Sequence, residues 1–282
     1  MSIRRTNHSA GILLVTVSAI VFSTAGLFTK GVEASAWSVI FWRGLSAAIF
    51  TLAYVWLQGG LKHEMRRWGW PAVLAMLFNA SGTAAFIPAF KLTSVANVAL
   101  IWATAPFVTA LLAWLMLGEH PTRRAMIASV AALFGVAIVV SGSFGGGTLA
   151  GDVLALWMTV MMSGVMVIYR KWPQTPVALP NIGASLLLLP VALLFIEPTH
   201  ISRPELLILL MFGAIFAIAS VTFTEGARRI PAMETALLGA LETPLAPVWA
   251  FLLLSEVPTP QAMAGGVIIL VALIWSQVRR QN

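Results

Sequence analysis

Two stretches of this chain carry the same pattern at an offset of 137 positions. They are residues 97–122 (NVALIWATAPFVTALLAWLMLGEHPT) and residues 234–259 (ETALLGALETPLAPVWAFLLLSEVPT). Each is an apolar run with a central proline, followed by a glutamate, Glu119 or Glu256, and then by Pro-Thr. The central prolines miss each other by one position, but both flanks keep the same offset, so the difference is a local shift. The match indicates an internal duplication, and the fold must therefore accommodate two similar halves.

The apolar runs of this chain are too many, and its charges too few, for a water-soluble surface. Of its 282 residues, 59% are hydrophobic and 10% are charged, whereas soluble domains carry about 25% charged residues. We therefore predict an all-α integral membrane protein with the lipid bilayer as solvent. The sequence predicts ten spans, at residues 11–29, 36–57, 70–90, 95–117, 123–142, 149–169, 178–196, 205–226, 232–254 and 260–278. Because the first is long enough to span, we expect no cleaved signal peptide.

The basic residues between the predicted spans indicate the orientation of the chain. With a cytoplasmic N-terminus, thirteen of the 17 Lys and Arg residues lie inside, Lys30, Lys91 and Arg203 lie outside, and Arg43 lies within a span. Because cytoplasmic loops are enriched in Lys and Arg, we expect a multi-pass protein with both termini in the cytoplasm. The basic residues stand singly or in pairs between apolar runs, so we expect no nucleic-acid binding.

The duplication and the span count together predict two inverted halves. Residues 1–142 form a first five-helix repeat and residues 143–282 a second, and an odd number of spans per repeat reverses the orientation of the second. Near the start of each half, SAIVFSTAGLFTK aligns with MTVMMSGVMVIYR, which places Lys30 opposite Arg170. Inverted-topology repeats are a transporter architecture, in which two halves move around a central site.

Two charged residues lie within predicted spans, where charge is costly and often functional. Arg43 lies about 10 Å into the second span at 1.5 Å per residue. In a structural role, Arg43 snorkels outward or pairs with a carboxylate on a neighbouring helix. In a functional role, it supplies positive potential near the outer mouth or binds a substrate carboxylate. Glu242 lies near the middle of the ninth span. In a structural role, Glu242 is protonated or forms a local hydrogen bond across a helix break. In a functional role, it titrates during transport or binds a substrate ammonium group.

Polar and aromatic residues at depth complete the predicted substrate site. Asn79 either forms a helix–helix hydrogen bond or lines a polar path, because an amide in hydrocarbon needs a partner. Trp102 lies deeper than an interfacial anchor and can stack on an apolar or aromatic substrate. The predicted substrate-binding residues are Phe78, Asn79, Trp102, Thr104, Trp157, Ser163 and Glu242, with Phe86 in the same wall.

Four prolines interrupt predicted spans and are candidate hinges. Each removes a backbone donor and frees a carbonyl one turn earlier. The predicted gating or hinge residues are Pro88, Pro106, Pro244 and Pro247.

Several functional classes lack the residues that they need. The chain has no cysteine, and Asp152 is its only aspartate. All four histidines (His8, His63, His120 and His200) lie in predicted loops or at a terminus, so no Ser–His dyad or metal-ligand pair forms at membrane depth. The glycine-rich link at residues 142–151 lacks the Gly-Lys-Ser/Thr ending of a phosphate-binding loop. We expect no enzyme activity, no cofactor and no metal, and a membrane-embedded enzyme remains a distant alternative.

These residues resemble those of the EamA type in the drug/metabolite transporter superfamily. The resemblance rests on the repeated endings Gly118-Glu119-x-Pro-Thr and Ser255-Glu256-x-Pro-Thr, on FWRG at residues 41–44 and on LETP at residues 241–244. It covers essentially the whole chain, and within the group the TPLAPVWAFLLLSE ending is most similar to YddG-type amino-acid exporters.

The resemblance implies a secondary transporter in a bacterial inner membrane that exports aromatic and other apolar amino acids by alternating access. It also implies a central cavity built mainly from spans 1, 3, 4, 6, 8 and 9. The alternative is export of a different metabolite or of an aromatic cationic drug. Our expected partners are small-molecule substrates and the lipid bilayer. We expect a monomer, although Gly265 and Gly266 of the tenth span could also pack against another copy.

Overall fold

The computed structural model describes residues 2–120, 123–143, 148–196, 201–227, 229–230 and 238–277, and all regular structure in these residues is helical. In chain order the helices are α1 (Ser2–Ser23), α2 (Ala25–Lys30), α3 (Ala36–Leu57), α4 (Leu61–Arg66), α5 (Trp70–Leu92), α6 (Val95–Trp102), α7 (Ala105–Leu117), α8 (Arg123–Ser141), α9 (Leu149–Lys171), α10 (Ala178–Leu193), α11 (Arg203–Ala227), α12 (Glu242–Leu254) and α13 (Pro260–Gln277).

The helical membrane fold agrees with the prediction, but the count of ten spans is not confirmed. In the described residues, seven stretches are long and apolar enough to cross a membrane: His8–Lys30, Ala36–Leu57, Trp70–Leu92, Val95–Leu117, Arg123–Ser141, Leu149–Lys171 and Arg203–Ala227. Three shorter apolar helices (Ala178–Leu193, Glu242–Leu254 and Pro260–Ser276) occupy the positions of the seventh, ninth and tenth predicted spans. The first part of the ninth, residues 232–237, lies outside the described residues.

The fourth span is broken where its proline predicted a break. Helix α6 ends at Trp102, and α7 begins at Ala105 with Pro106 in its first turn. The missing N–H of a proline costs little there, because the first-turn N–H groups have no intrahelical acceptor. Pro244 likewise lies in the first turn of α12, whereas Pro88 and Pro247 lie within continuous helices.

The repeated sequence ending has the same backbone geometry in both halves. Gly118 ends α7 with φ 69°, and Ser255 ends α12 with φ 53°. The N–H of the following glutamate donates in each case to a carbonyl six residues earlier, Ala113 or Ala250. A left-handed residue of this kind satisfies carbonyl groups at a helix C-terminus. The duplication is therefore visible in the fold as well as in the sequence.

Helices of the two halves pack against each other in matching pairs. Helix α5 packs on α9 and α1 packs on α11, while α8 packs on α13 and α3 contacts both α10 and α11. Under the repeat, the α5–α9 contact corresponds to the α11–α1 contact. Buried side chains from both halves, including Ile40, Ile87, Phe212 and Ile269, belong to one core cluster.

Glycines allow several of these helices to approach closely. A Cβ added to Gly265 of α13 would lie 2.4 Å from the carbonyl oxygen of Gly135 in α8. A Cβ on Gly213 of α11 would lie 2.3 Å from the carbonyl oxygen of Arg43 and 2.8 Å from the nitrogen of Ala47, both in α3. Small residues at such crossings drive packing in membranes, because lipid supplies no hydrophobic force between helices.

The substitution Gly213→Ala should therefore lower the melting temperature of the detergent-solubilised protein by several degrees. The new methyl group meets backbone atoms, which cannot rotate aside, and overpacking of this kind costs about 1–3 kcal/mol. Gly44→Ala is the matched control, because its nearest neighbour would be Ser185 Cβ at 3.7 Å, an ordinary contact. Equal melting temperatures for the two variants would contradict the assigned α3–α11 contact.

Ion pairs define the two ends of the helical bundle. At the first, Lys30 Nζ lies 2.7 Å from Glu256 Oε2, and the N–H of Val95 at the start of α6 donates to Glu256 Oε1. The broken fourth span then runs about 33 Å, at 1.5 Å per residue, to the second end. There Glu119 Oε2 lies 2.7 Å from Arg170 Nη2. We name these the Lys30 end and the Arg170 end.

The two ion pairs are reciprocal under the sequence repeat. Lys30 aligns with Arg170, and Glu256 aligns with Glu119, so each pair joins a basic residue of one half to an acidic residue of the other. Both glutamates of the repeated pattern therefore pair with basic groups, and Glu256 also accepts a backbone N–H at the start of α6. The Lys30–Glu256 pair is the more buried of the two.

A second set of contacts shows the same reciprocity. Glu205 of α11 accepts the N–H groups of Glu33 and Ala34, which precede α3, at 2.7 and 2.9 Å. At the other end Glu64 of α4 accepts two N–H groups at the start of α10, at 3.1 and 3.0 Å. Each carboxylate thus binds the N-terminus of a helix in the opposite half, where the helix dipole favours negative charge.

Candidate functional site

A cavity of about 700 Å³ lies between the two halves. Its walls come from the first span and from α3, α5, α6, α9, α10, α11 and α12, so spans 2 and 7 contribute in addition to those implied by the resemblance. Exposed residues, Gln58, His63 and Val177, line it at the Arg170 end, whereas buried Ile40 and Phe90 line it toward the Lys30 end. The cavity therefore opens at the Arg170 end and is closed at the other.

One polar contact in the cavity wall joins α6 to α12. Trp102 is the last residue of α6, and Glu242 is the first residue of α12. The indole Nε1–H of Trp102 donates to Glu242 Oε1, and both side chains line the cavity. The sequence prediction placed both residues at depth but did not predict that they contact each other.

An amide pair lines the wall between α5 and α10. Asn79 Nδ2 donates to Asn181 Oδ1 at 3.0 Å, and both residues line the cavity. Asn79 therefore forms the helix–helix hydrogen bond considered from the sequence, and it also lines the cavity. Asn181 was not among the predicted site residues; it lies only three residues into the predicted seventh span, where depth gives no signal for a site.

Arg43 lines the cavity within a group of aromatic rings. Its guanidinium carbon lies 4.9 Å from the ring centroid of Phe212, 5.7 Å from that of Phe216 and 5.9 Å from that of Phe86. Arg43 Nε is buried without a hydrogen-bond partner. The carboxylate partner considered from sequence is absent among the described residues, because their ion pairs do not include Arg43.

Four predicted substrate-binding residues do not line this cavity. The ring of Phe78 packs over Gly164 of α9, which has no side chain to oppose it. Trp157 is 51% exposed on the outer surface, and its indole donates to Ser81 Oγ at 3.0 Å. Thr104 and Ser163 are buried and donate to the carbonyl oxygens of Ile101 and Ala105 next to the break in the fourth span. Phe78, Trp157 and Ser163 therefore contact neighbouring helices, and Thr104 bonds within its own span, all outside the cavity.

A second buried polar cluster lies at the Lys30 end. Asp152 is fully buried in the first turn of α9 and accepts hydrogen bonds from Thr93 Oγ1 at 2.6 Å, from Ser143 Oγ at 2.5 Å and from Asn97 Nδ2 at 3.1 Å. These residues tie together the ends of α5, α6, α8 and α9. Nothing in the sequence pattern identified this cluster, apart from Asp152 being the only aspartate. Among the described residues, no group of three or more His, Asp and Glu side chains could hold a metal ion.

Comparison with known proteins agrees with the duplication. A model of the EamA-like transporter family matches residues 9–141 and again residues 149–277. A solved structure, described only as "Crystal structure of protein", superimposes with a TM-score of 0.67 at 19% identity. The match covers 95% of this chain and 96% of that one, and at this identity it shows the fold alone. No curated protein matches.

The family match agrees with the duplication in the sequence and with the helical membrane fold. The two matches to the family model cover most of the chain and leave only a short link between them. The chain belongs to the EamA-like transporter family.

Proposed function

We propose that this protein is a secondary transporter that exports small amphipathic metabolites, above all aromatic and other apolar amino acids, across a bacterial inner membrane. The observation that carries the proposal is the composition of the cavity. Its wall combines apolar and aromatic surface with three carboxylates (Glu64, Glu225 and Glu242), the Asn79–Asn181 amide pair and the guanidinium group of Arg43. A few polar groups in a largely apolar pocket are typical of a small-molecule site.

Each part of an apolar amino acid has a matching group in this wall. Trp102, Phe86 and Met158 offer surface for a ring or an alkyl chain, and methionine adapts to several shapes. Asn79 can bond either polar end, and Glu242 is the acidic residue next to Trp102. YddG-type specificity for aromatic amino acids is therefore part of the proposal, supported by the chemistry of the wall.

The proposed mechanism is alternating access by two inverted five-helix repeats, residues 1–142 and 143–282. Its support is the reciprocity of the Lys30–Glu256 and Arg170–Glu119 pairs at opposite ends. Pro106 and Pro244 lie at interrupted helices and serve as hinges, and Pro88 and Pro247 supply weak points within α5 and α12. If the termini are cytoplasmic, the cavity opens toward the cytoplasm, where an exporter loads its substrate.

Counterflow in proteoliposomes tests this proposal. Trp102→Ala and Asn79→Ala should each lower the initial rate for phenylalanine by about 5- to 150-fold, because loss of a stacking surface or a charge-assisted bond costs about 1–3 kcal/mol. Trp114→Ala is the matched control, since Trp114 lies on the exposed surface of α7. Normal transport by both cavity variants would place the substrate elsewhere.

A panel of substrates distinguishes an amino-acid exporter from the alternative, an exporter of aromatic cationic drugs. Counterflow of apolar amino acids should exceed that of aromatic cations, with and without a pH gradient. Preference for aromatic cations would instead favour a drug exporter, in which Glu242 neutralises the substrate. Stimulation by the gradient would show proton coupling.

A further inference from the structure

We propose that Arg43 binds the carboxylate group of the substrate and makes the transporter selective for carboxylate-bearing molecules over the corresponding amines. This inference deepens the proposed function and rests on it. Arg43 is not among the residues that depth and polarity alone assigned to the substrate site.

The position of Arg43 suits a ligand-binding group. It lies in α3 about 10 Å from the Lys30 end of that helix, at 1.5 Å per residue, and it lines the cavity toward its closed end. Trp102, which contacts Glu242, lies equally far from the Lys30 end of α6, since each of the two residues is seven positions into its helix. The cavity thus carries a positive group and a carboxylate at about the same depth.

The charge of Arg43 is incompletely balanced by the protein. Three aromatic rings surround the guanidinium group, and cation–π contacts stabilise a cation only modestly. Rings cannot accept the in-plane N–H bonds that a guanidinium group offers, and Arg43 Nε is buried without any acceptor. A buried charge that lacks a counter-ion carries a large free-energy cost. An anionic ligand would remove that cost.

The geometry of the guanidinium group favours one class of anion. Its planar fork presents parallel N–H groups that match the two oxygens of a carboxylate. The rings of Phe86, Phe212 and Phe216 surround the guanidinium group, so a ligand that binds there must place a flat or apolar part against them. A small carboxylate next to an apolar side chain fits this environment. Together with Glu242 for the ammonium group, the wall then recognises a zwitterion.

A structural role is the competing explanation, because Arg43 also holds aromatic rings of α5 and α11 together. The two roles differ in their dependence on the chemistry of the substrate. If Arg43 is structural, its loss affects every substrate alike. If it binds a carboxylate, its loss affects acids and leaves amines unchanged.

The test compares phenylalanine with phenethylamine in counterflow by the full-length protein. Wild-type protein should transport phenylalanine at least tenfold faster than phenethylamine. Arg43→Gln should lower phenylalanine transport at least tenfold and leave phenethylamine unchanged, and Arg43→Lys should restore part of the loss because it keeps the charge. Arg203→Gln, at an exposed position at the start of α11, should behave as wild type.

An equal loss for both compounds in Arg43→Gln, or no loss for either, would overturn the proposal. A binding measurement separates this failure from failure of the proposed function. If no amino acid is transported, 3-phenylpropionate should still quench the fluorescence of wild-type protein and not that of Arg43→Gln. Quenching of both proteins alike, or of neither, would show that Arg43 is not a carboxylate site.

Discussion

Asp152→Ala is expected to lower the melting temperature of the solubilised protein by about 6–12 °C. The substitution removes the acceptor shared by Thr93, Ser143 and Asn97 in a fully buried cluster. A buried donor without a partner costs about 1–3 kcal/mol, so three donors give a loss of about 3 kcal/mol or more. Each kcal/mol lowers the midpoint by about 2–4 °C for a chain of roughly this size.

Two further variants test whether the loss of stability comes from the hydrogen bonds that Asp152 accepts. Asp152→Asn keeps one acceptor oxygen and should lose about half as much stability. Ser141→Ala should lose none, because Ser141 is exposed and donates only to the carbonyl of Ile138 in its own helix. A melting temperature that is equal for Asp152→Ala and wild type would show that the cluster does not hold α5, α6, α8 and α9 together.

Glu242→Gln is expected to lower the transport of amino acids at least tenfold while the fold is retained. The amide oxygen of glutamine can still accept the indole N–H of Trp102, so the contact between α6 and α12 survives. The charge that would bind a substrate ammonium group is lost, and a hydrogen bond to a charged group contributes about 1.5–3 kcal/mol. Initial counterflow rates over a range of substrate concentrations measure this effect.

Glu33→Gln is the matched control, since Glu33 is exposed between α2 and α3 and only its backbone forms a described bond. The measurement should be repeated across the neutral pH range. Unchanged rates and an unchanged pH profile in Glu242→Gln would assign Glu242 to a structural role only. The substrate would then be held by the remaining polar groups of the wall.

The fold was largely predictable because its strongest signals are local or repeated. Apolar runs of span length predict helices directly, and the shared endings at Glu119 and Glu256 predict two related halves. The seventh and tenth predicted spans begin at the first residues of α10 and α13 and end within three residues of where these helices end. In the ninth predicted span α12 begins only at Glu242, since hydropathy does not report where a helix begins inside an apolar run. Proline indicated the break at α7, where Pro106 lies in the first turn, but not at Pro88, where the helix continues.

The site was only partly predictable, because depth along a span does not indicate which face of the helix a residue occupies. Asn79, Trp102 and Glu242 are at depth and line the cavity. Ser163 is equally deep but turns toward the carbonyl of Ala105, and Phe78 turns toward Gly164. Contacts between distant parts of the chain, such as Asn79 with Asn181, require the packed bundle and leave no trace in a single sequence.

The reciprocal contacts at the two ends have a consequence for how such a chain can arise. Lys30 with Glu256 and Arg170 with Glu119 make the same bond twice, once in each direction between the halves. An isologous interface between identical subunits has this property, because a twofold axis repeats every contact. Under the proposed inverted repeat, two separate copies of one ancestral half would form both bonds as an antiparallel homodimer. Within one chain the two ends are free to differ, and here the Lys30 pair is more buried than the Arg170 pair.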